Sequence, residues 1–468
     1  MSGPKNPRPT RNPKAPRDSK PGAPFAGRER KPNPQNPGNS GSSGPGAQVS
    51  RRAADRLRAG HVWVYASDIE SLSLPESGLP ESGLAESDSG VSPALLPVAD
   101  SRGLLLGTAL YSPASQIALR LVSRESIDEL AWLDLLAARL RRAIERRLPY
   151  LAGEDRKSDS CRLCFSEADE IPGLVIDKYA GLIIVQLLAK GLDSRAVRET
   201  VVRVLSTDRH LKAETILERP DPRIRELEGL GAPDLAPLWT ANPAAPQTAT
   251  QFHLNGLVFE CDAGSGQKTG AFLDQAANYE AAKKWAWFLA PGGRALDVCT
   301  YQGGFALHLA QVSAHVTGID TSRASLEVAE RNLEANRNVI GAKKVDWIEA
   351  DAFQILRDWS DAGEKFDTIV LDPPAFAKSK RAVEGALRGY KELNLRALKM
   401  LRPGGLLITC SCSHHVAWTD LEAAVAAAAA DASRRVRLRE RRGAAPDHPV
   451  VLNLPETEYL KVLVLEVE

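Results

Sequence analysis

The chain has 468 residues, 43% of them hydrophobic and 25% charged, with a formal net charge of +1. That length is too great for one hydrophobic core and, at about 150 residues per domain, implies roughly three in series. The balanced charge excludes a global pull toward polyanions, so a nucleic-acid site has to be a local patch.

Residues 1–47 mix Pro, Gly, Asn and Ser with scattered Lys and Arg and almost no large apolar side chains. Such a segment cannot offset its ordering entropy, so a disordered basic tail is predicted, either holding RNA phosphates non-specifically or merely solubilising. Residues 48–125 begin with a short amphipathic helix, RRAADRLRAG, followed by the alternating strand HVWVYASDIESL. The near-repeat PESGL-PESGL-AESDS, Pro75 to Ser89, reads as a low-complexity loop that lengthens a hairpin. Strand patterns resume in ALLPVADSRGLLLGTALYS and QIALRLVSR. Four or five short strands with Gly-bearing turns predict a small β-barrel.

Residues 126–250 read as a central α+β domain with a linker. A helix is predicted over 127–147, where Leu130, Leu133, Leu136, Leu140 and Ile144 recur every three to four residues. CRLCFSEADEIPGLVIDKYAGLIIVQLLA then reads as two strands joined by a tight turn, 194–205 as a helix and AETILERPD as a strand. The Pro/Ala-rich stretch 229–247 is a surface loop. Over 251–468 the strands RALDVCT, HVTGID, VDWIEAD, FDTIVLD and GGLLITCS alternate with helical patterns, which predicts a doubly wound parallel α/β sheet. VRLRERR and TEYLKVLVLEV add an antiparallel pair at its edge, for seven strands. The longest apolar tract, Leu421 to Ala432, is well short of the ~20 residues that span a bilayer, so no membrane association is expected.

Chemistry concentrates where these strands end. The turn Asp297-Val298-Cys299-Thr300-Tyr301-Gln302-Gly303-Gly304 places glycines where the backbone has to approach a ligand, without the G-x-G-x-x-G spacing of pyrophosphate binders. It fits an amino-acid moiety, with Asp297 facing the ammonium and backbone N–H groups the carboxylate, or equally a plain strand-to-helix turn. The next two strands end in Asp320, placed for ribose hydroxyls, and Asp351, placed for an adenine amine. A nucleoside joined to an amino acid with no pyrophosphate describes S-adenosyl-L-methionine. Asp372 ends a fourth strand in Asp-Pro-Pro, and the neighbouring strand ends in Ser411-Cys412-Ser413.

Residues 265–468 resemble a Rossmann-like class I methyltransferase. Nearly the whole chain after the tail resembles the bacterial large-subunit (23S) ribosomal RNA cytosine-C5 methyltransferases that carry an N-terminal PUA module. The resemblance rests on GHVWVY, FSEADEIPGLVIDKY, GQKTGAFLDQ, DPPAFAKSK, SCS, DHP and PETEYLK. It departs at Val62, where the family usually has Pro, and at Ala276, where it usually has Arg. The resemblance implies ribosomal RNA as partner, a PUA-like barrel over 48–125, and Cys412 as nucleophile. It also implies that the stretch holding Thr269 and Phe272 lines the cofactor.

The chemistry agrees with that assignment. C5 of a pyrimidine is too weak a nucleophile for a sulfonium methyl until a thiolate adds to C6. Asp372 would hold the N3 and N4 edge of a flipped-out cytosine, Pro373 and Pro374 would stiffen the loop, Phe376 would stack on the base, and Lys378 or Lys380 would contact phosphates. For Phe376 and the lysines, packing or solvent-facing roles stand level with these. Cys410, two residues earlier on the same face, reads as a packing cysteine.

Cys161 and Cys164 form a lone C-x-x-C with no second pair, so no metal is expected. His414, His415 and Asp447-His448 receive no role. The six sparse cysteines point to reduced thiols in a cytoplasm, and a homodimer is left open. Two rival readings remain: a nitrogen methyltransferase of guanine or adenine, which would need no cysteine, and an RNA-binding assembly factor that retains the fold without catalysis.

Overall fold

The computed structural model describes residues 46–74, 94–151, 157–231, 236–264, 270–377 and 379–468, all within one compact unit, Gly44–Glu468. Residues 1–45 of the expected tail, the Pro75 to Ser89 insert, Lys268, Thr269 and Lys378 lie outside the described residues.

The N-terminal sheet has six strands in the order Trp63–Tyr65, Ile117–Ser123, Leu105–Tyr111, Leu95–Asp100, Gly46–Val49 and Ile69–Ser73. The strand Gly46–Val49 falls within the stretch read as tail. That strand is paired on both sides, parallel to Leu95–Asp100 and antiparallel to Ile69–Ser73, and two partners hold a segment whose own composition would not. The helix Arg51–Arg58 follows, capped by the Ser50 hydroxyl and burying Ala53, Ala54 and Leu57. Its charged face stays in water, as its amphipathic pattern requires.

The helix Glu129–Leu151 leads to a five-stranded sheet in the order Trp239–Thr240, Thr215–Glu218, Leu182–Leu187, Leu174–Tyr179, Ser160–Phe165. Three strands occupy the stretch read as two, because the chain reverses twice, after Phe165 and again at Ala180-Gly181, where Ala180 takes φ +49°. Two arginines here are paired with buried carboxylates, while the buried Lys178 ammonium donates to the Asp159 and Ala180 carbonyls. Arg147 donates to both Asp169 oxygens at 2.6 and 2.7 Å, and Arg162 to both Asp177 oxygens at 2.8 Å. Arg147 also donates to the Asp447 carbonyl at 2.9 Å, which fastens this sheet to the C-terminal region.

An antiparallel hairpin, Ala249–Leu254 and Leu257–Asp262, precedes the large sheet. Sequence periodicity did not reveal it, since its strands are anchored by remote side chains: Asn332 and Asn336 accept from the Glu260 and Val258 amides at 2.9 and 2.8 Å. The large sheet runs Lys344–Glu349, His315–Asp320, Arg294–Val298, Phe366–Leu371, Leu401–Ser411, Lys461–Val467, Val436–Arg442. The first five strands are parallel, and Lys461–Val467 is antiparallel to both its neighbours. This is the expected seven-stranded α/β sheet, with Lys461–Val467 in the inner place of the final pair and Val436–Arg442 at the edge. Among the described residues no helix is long and apolar enough to cross a membrane.

Candidate active site

Strand order reverses between Arg294–Val298 and Phe366–Leu371, and ligands of open α/β sheets bind at the carboxyl ends of such a pair. A cavity of about 240 Å³ lies there, walled by the glycine turn, the Asp-Pro-Pro loop, Cys412, Asp320 and the 271–279 segment.

The turn is built from below. Asp297 is fully buried and does not reach the cavity wall. One of its oxygens accepts from the Thr300 hydroxyl at 2.6 Å and from the Ala306 amide at 2.9 Å, while the other is buried without a hydrogen-bond partner. Burial pushes its carboxyl up to about 7, despite the two hydrogen bonds that favour the charged form. Cys299 and Tyr301 take φ of +66° and +52°, left-handed conformations that cost non-glycine residues roughly 1–3 kcal/mol each and persist only where their surroundings hold them. Asp320 supplies part of that hold by accepting from the Tyr301 amide at 2.9 Å and the Ser322 amide at 2.9 Å. Gly303 takes φ +87°, and a Cβ there would lie 2.9 Å from the Trp347 ring. At Gly304 a Cβ would lie 2.5 Å from the Tyr279 hydroxyl, so the space above the turn is kept for a ligand or for that ring.

The structure brings Asp320, Gly304, Phe272, Asp372, Pro373, Pro374 and Cys412 to one cavity, while Gly303 does not line it and faces Trp347, Leu307 and Ala329. Phe272 meets Tyr301 edge-on, with ring centroids 5.0 Å apart. Asp351 stays outside: it caps the helix Ala352–Ala362 by accepting from the Gln354 amide at 2.9 Å, and its neighbours Ala350 and Ala352 form the wall. Phe376 also stays outside, packed between Phe353 and Tyr390 at 5.9 and 5.0 Å. Its ring finds apolar partners on two helices, which the loop sequence alone does not disclose.

Asp372 accepts from the Gln275 side-chain amide at 3.0 Å. The half-buried Cys412 thiol lies 3.9 Å from the Pro373 carbonyl, so carboxylate and thiol do flank one space. Cys410 is fully buried, and desolvation pushes its thiol far above the ordinary range. The two loops are tied together behind the cavity. Ser411 donates to the Tyr390 hydroxyl at 2.8 Å, Tyr390 and Ser413 share a hydrogen bond at 3.2 Å, and the Ala377 amide donates to Ser413 at 3.2 Å. The serines flanking Cys412 are therefore its mounting.

Gln275, Tyr279, Tyr301 and Tyr390 were not singled out from the sequence. Gln275 belongs to the GQKTGAFLDQ motif and Tyr301 to the glycine turn, whereas Tyr279 and Tyr390 come from two helices whose convergence is a tertiary fact. His414 and His415 are exposed, and His414 packs near Tyr459. The Asp447 carboxylate accepts from the Arg162 amide and from His448, both at 2.8 Å, giving the Asp-His pair an anchoring place between sheets. Among the described residues no group of His, Cys, Asp and Glu could hold a metal ion, and Cys161 and Cys164 are buried within their strand.

A glycine cradle that a Cβ would fill, a strand-end acid beside it and apolar walls from Phe272, Ile319 and Ala350 fit an adenosyl group carrying an amino acid. Comparison with known proteins agrees. The family model of S-adenosylmethionine-dependent methyltransferases matches residues 173–463, and that of a PUA-like domain matches residues 47–124. A ribosomal RNA large subunit methyltransferase I from Pseudoalteromonas translucida is 37% identical over 374 residues, covering 79% of this chain and 89% of that protein. One of the same name from Erwinia tasmaniensis is 37% identical over 368 residues, covering 78% and 88%. Among solved structures, a protein from Streptococcus mutans described as a SAM-dependent methyltransferase superposes with a TM-score of 0.71 at 17% identity, covering 90% of this chain and 99% of that one. At that identity the likeness speaks to fold.

Proposed function

The chain belongs to the S-adenosylmethionine-dependent ribosomal RNA large subunit methyltransferase I family, and from that premise we propose that it methylates C5 of a cytosine in large-subunit ribosomal RNA through a covalent Cys412 adduct. The observation that carries this reading is the half-exposed Cys412 thiol facing the same cavity as Asp372 and the glycine turn.

When bound, S-adenosyl-L-methionine supplies its sulfonium methyl to C5 and leaves as S-adenosylhomocysteine. The glycine turn, kept in shape by Asp297 from beneath, cradles the amino-acid end, and Asp320 accepts from the ribose hydroxyls. Asp351 stiffens the adenine wall through its helix cap. Thr269, with Phe272, keeps the cofactor-binding role that the resemblance implies. Asp372, steadied by Gln275, receives the N3 and N4 edge of the flipped base. The Cys412 thiolate then forms a bond to C6, and the C5–C6 π pair moves to C5 as the nucleophilic pair. After alkylation a base takes the C5 proton, the C5–H pair restores the double bond, and the C6–S bond breaks with its electrons returning to Cys412. Pro373 and Pro374 keep the acid from drifting, and Lys378 is assigned to the RNA backbone. The six free cysteines suit a reducing cytoplasm.

The test is trapping with RNA carrying 5-fluorocytosine, whose C5 fluorine cannot be removed as a proton. A denaturation-resistant adduct at Cys412, absent from Cys412→Ala, is expected. Normal turnover by Cys412→Ala, with the product methyl on a nitrogen, would replace this reading with the nitrogen methyltransferase.

A further inference from the structure

One buried cation beside the thiol has no part in the scheme above. Lys461 is 4% exposed and opens the strand Lys461–Val467, directly across the antiparallel ladder from Ser411, the residue before Cys412. Its ammonium donates to two main-chain carbonyls, Tyr459 at 2.9 Å and Ser413 at 3.3 Å. Those carbonyls lie on the two strand ends that meet at the cavity, one of them immediately after Cys412. Neutral carbonyls aim an ammonium without cancelling its charge. The buried arginines elsewhere differ, since Arg147 is held by Asp169 and Arg120 by Glu228, each through a hydrogen-bonded carboxylate.

A buried ion with no counter-charge costs several kcal/mol, so the groups that act on Lys461 through space decide what it is for. They are Glu458 and the Cys412 thiol. Glu458 is exposed and already accepts from the Trp418 indole at 3.0 Å, which leaves Cys412 as the inward-facing one. Burial holds the Lys461 ammonium below its ordinary range, and the Glu458 carboxylate and then an anion at Cys412 work against that.

The groups facing Cys412 from the packed elements set the opposite demand. Asp372 approaches from the Asp-Pro-Pro loop, Tyr390 from the helix Val383–Met400, and Cys410 lies on its own strand. None of these brings a positive charge, and a carboxylate beside a thiol favours the protonated thiol.

We propose that Lys461 is the positioning residue of this site, an ammonium fixed by the Tyr459 and Ser413 carbonyls that holds Cys412 as thiolate before attack and receives it again when the C6–S bond breaks. This rests on the reading of Cys412 as nucleophile. Lys461 keeps its proton throughout, so the Cys412 proton is lost to solvent and no other reactant is needed.

The test reads the thiol rather than turnover. The rate of Cys412 alkylation by iodoacetamide, mapped by mass spectrometry, is followed from pH 6 to 10 in the full chain, with S-adenosylmethionine binding by calorimetry as the check on folding. K461Q keeps a donor for both carbonyls but no charge, and its alkylation midpoint should rise by at least about one pH unit, a tenfold loss of thiolate near neutrality. K461R should stay near wild type, and K461M should match K461Q if it folds. A K461Q protein that binds cofactor and titrates like wild type overturns the proposal. The two readings fail separately, because full methylation by Cys412→Ala sinks the nucleophile whatever the titration shows. An unshifted K461Q with Cys412 essential sinks only the role of Lys461.

Discussion

The central and catalytic sheets each carry two cysteines close together, Cys161 with Cys164 and Cys410 with Cys412, and the pairs differ in where their strands stop. Cys161 and Cys164 sit inside Ser160–Phe165, an edge strand paired with Leu174–Tyr179 and packed on the helix Glu129–Leu151, and burial pushes both thiols far up. Cys410 shares that fate. Cys412 lies past its strand's last residue, where the sheet opens onto a cavity, as Cys299 does after Arg294–Val298. The charges follow the same division. In the central sheet Arg147, Asp169, Arg162 and Asp177 are spent on one another, while the large sheet places Asp320 and Asp372 on the wall of a cavity. Placement at a strand exit gives a thiol or an acid access to the cavity that strand-interior residues lack, except where a helix cap claims it, as at Asp351.

The strongest way to break this comparison is Cys412→Ala, which should lower methylation of ribosomal RNA on the order of 10⁴-fold while cofactor affinity stays unchanged in calorimetry. Residual activity above a tenth of wild type would erase the contrast with Cys164. Next comes Asp372→Asn, expected to cost about 10²–10³-fold in kcat, because the amide cannot stabilise the protonated base that the adduct requires. In the central sheet the largest effect is on stability. Asp169→Asn leaves Arg147 buried without its counter-charge and should lower unfolding free energy by about 3–5 kcal/mol in urea, with kcat per folded molecule retained.

Asp297 sharpens the comparison further, as a buried acid in the catalytic sheet with no cationic partner. Its carboxyl titrates at about 7 when folded against 3.8 as its ordinary value, so the folded chain binds the extra proton between those limits. Its contribution to stability is therefore present below about pH 4 and is lost as pH rises through 7. Asp297→Asn should flatten that part of a pH–stability curve measured by thermal unfolding, and a slope identical to wild type would count against the assignment. The smallest effect belongs to Cys161→Ala and Cys164→Ala, each expected to cost about 1–2 kcal/mol through a small cavity and to leave turnover within about twofold.

What was legible beforehand follows the same logic. Strand exits are local, so apolar runs that stop at Asp297, Asp320, Asp372 and Cys412 could be read along the chain. So could the parallel run of five strands, since strands that alternate with helices make parallel sheets. Placements that depend on distant partners could not. Gly46–Val49 needs two strands to hold it, and the side-chain stacking of Phe376 needs Phe353 and Tyr390. Asp351 looked like a ligand because it follows a strand, yet it also begins a helix, and the cap claims one of its oxygens. Lys461 was visible only as one letter of a motif, because its meaning comes from the strand it faces.

The cavity also bears on how this protein comes to be active. Its walls draw on segments from Phe252 to Leu460, and Lys461–Val467 must slide in beside Leu401–Ser411 before the last wall stands. Contacts so far apart in sequence carry a large loop-closure cost and form late in folding. A partly folded chain therefore has no thiol held ready for attack, and its modification chemistry should switch on only with the final docking step. Catalytic competence would then serve as a probe of that docking step, which helix content does not report.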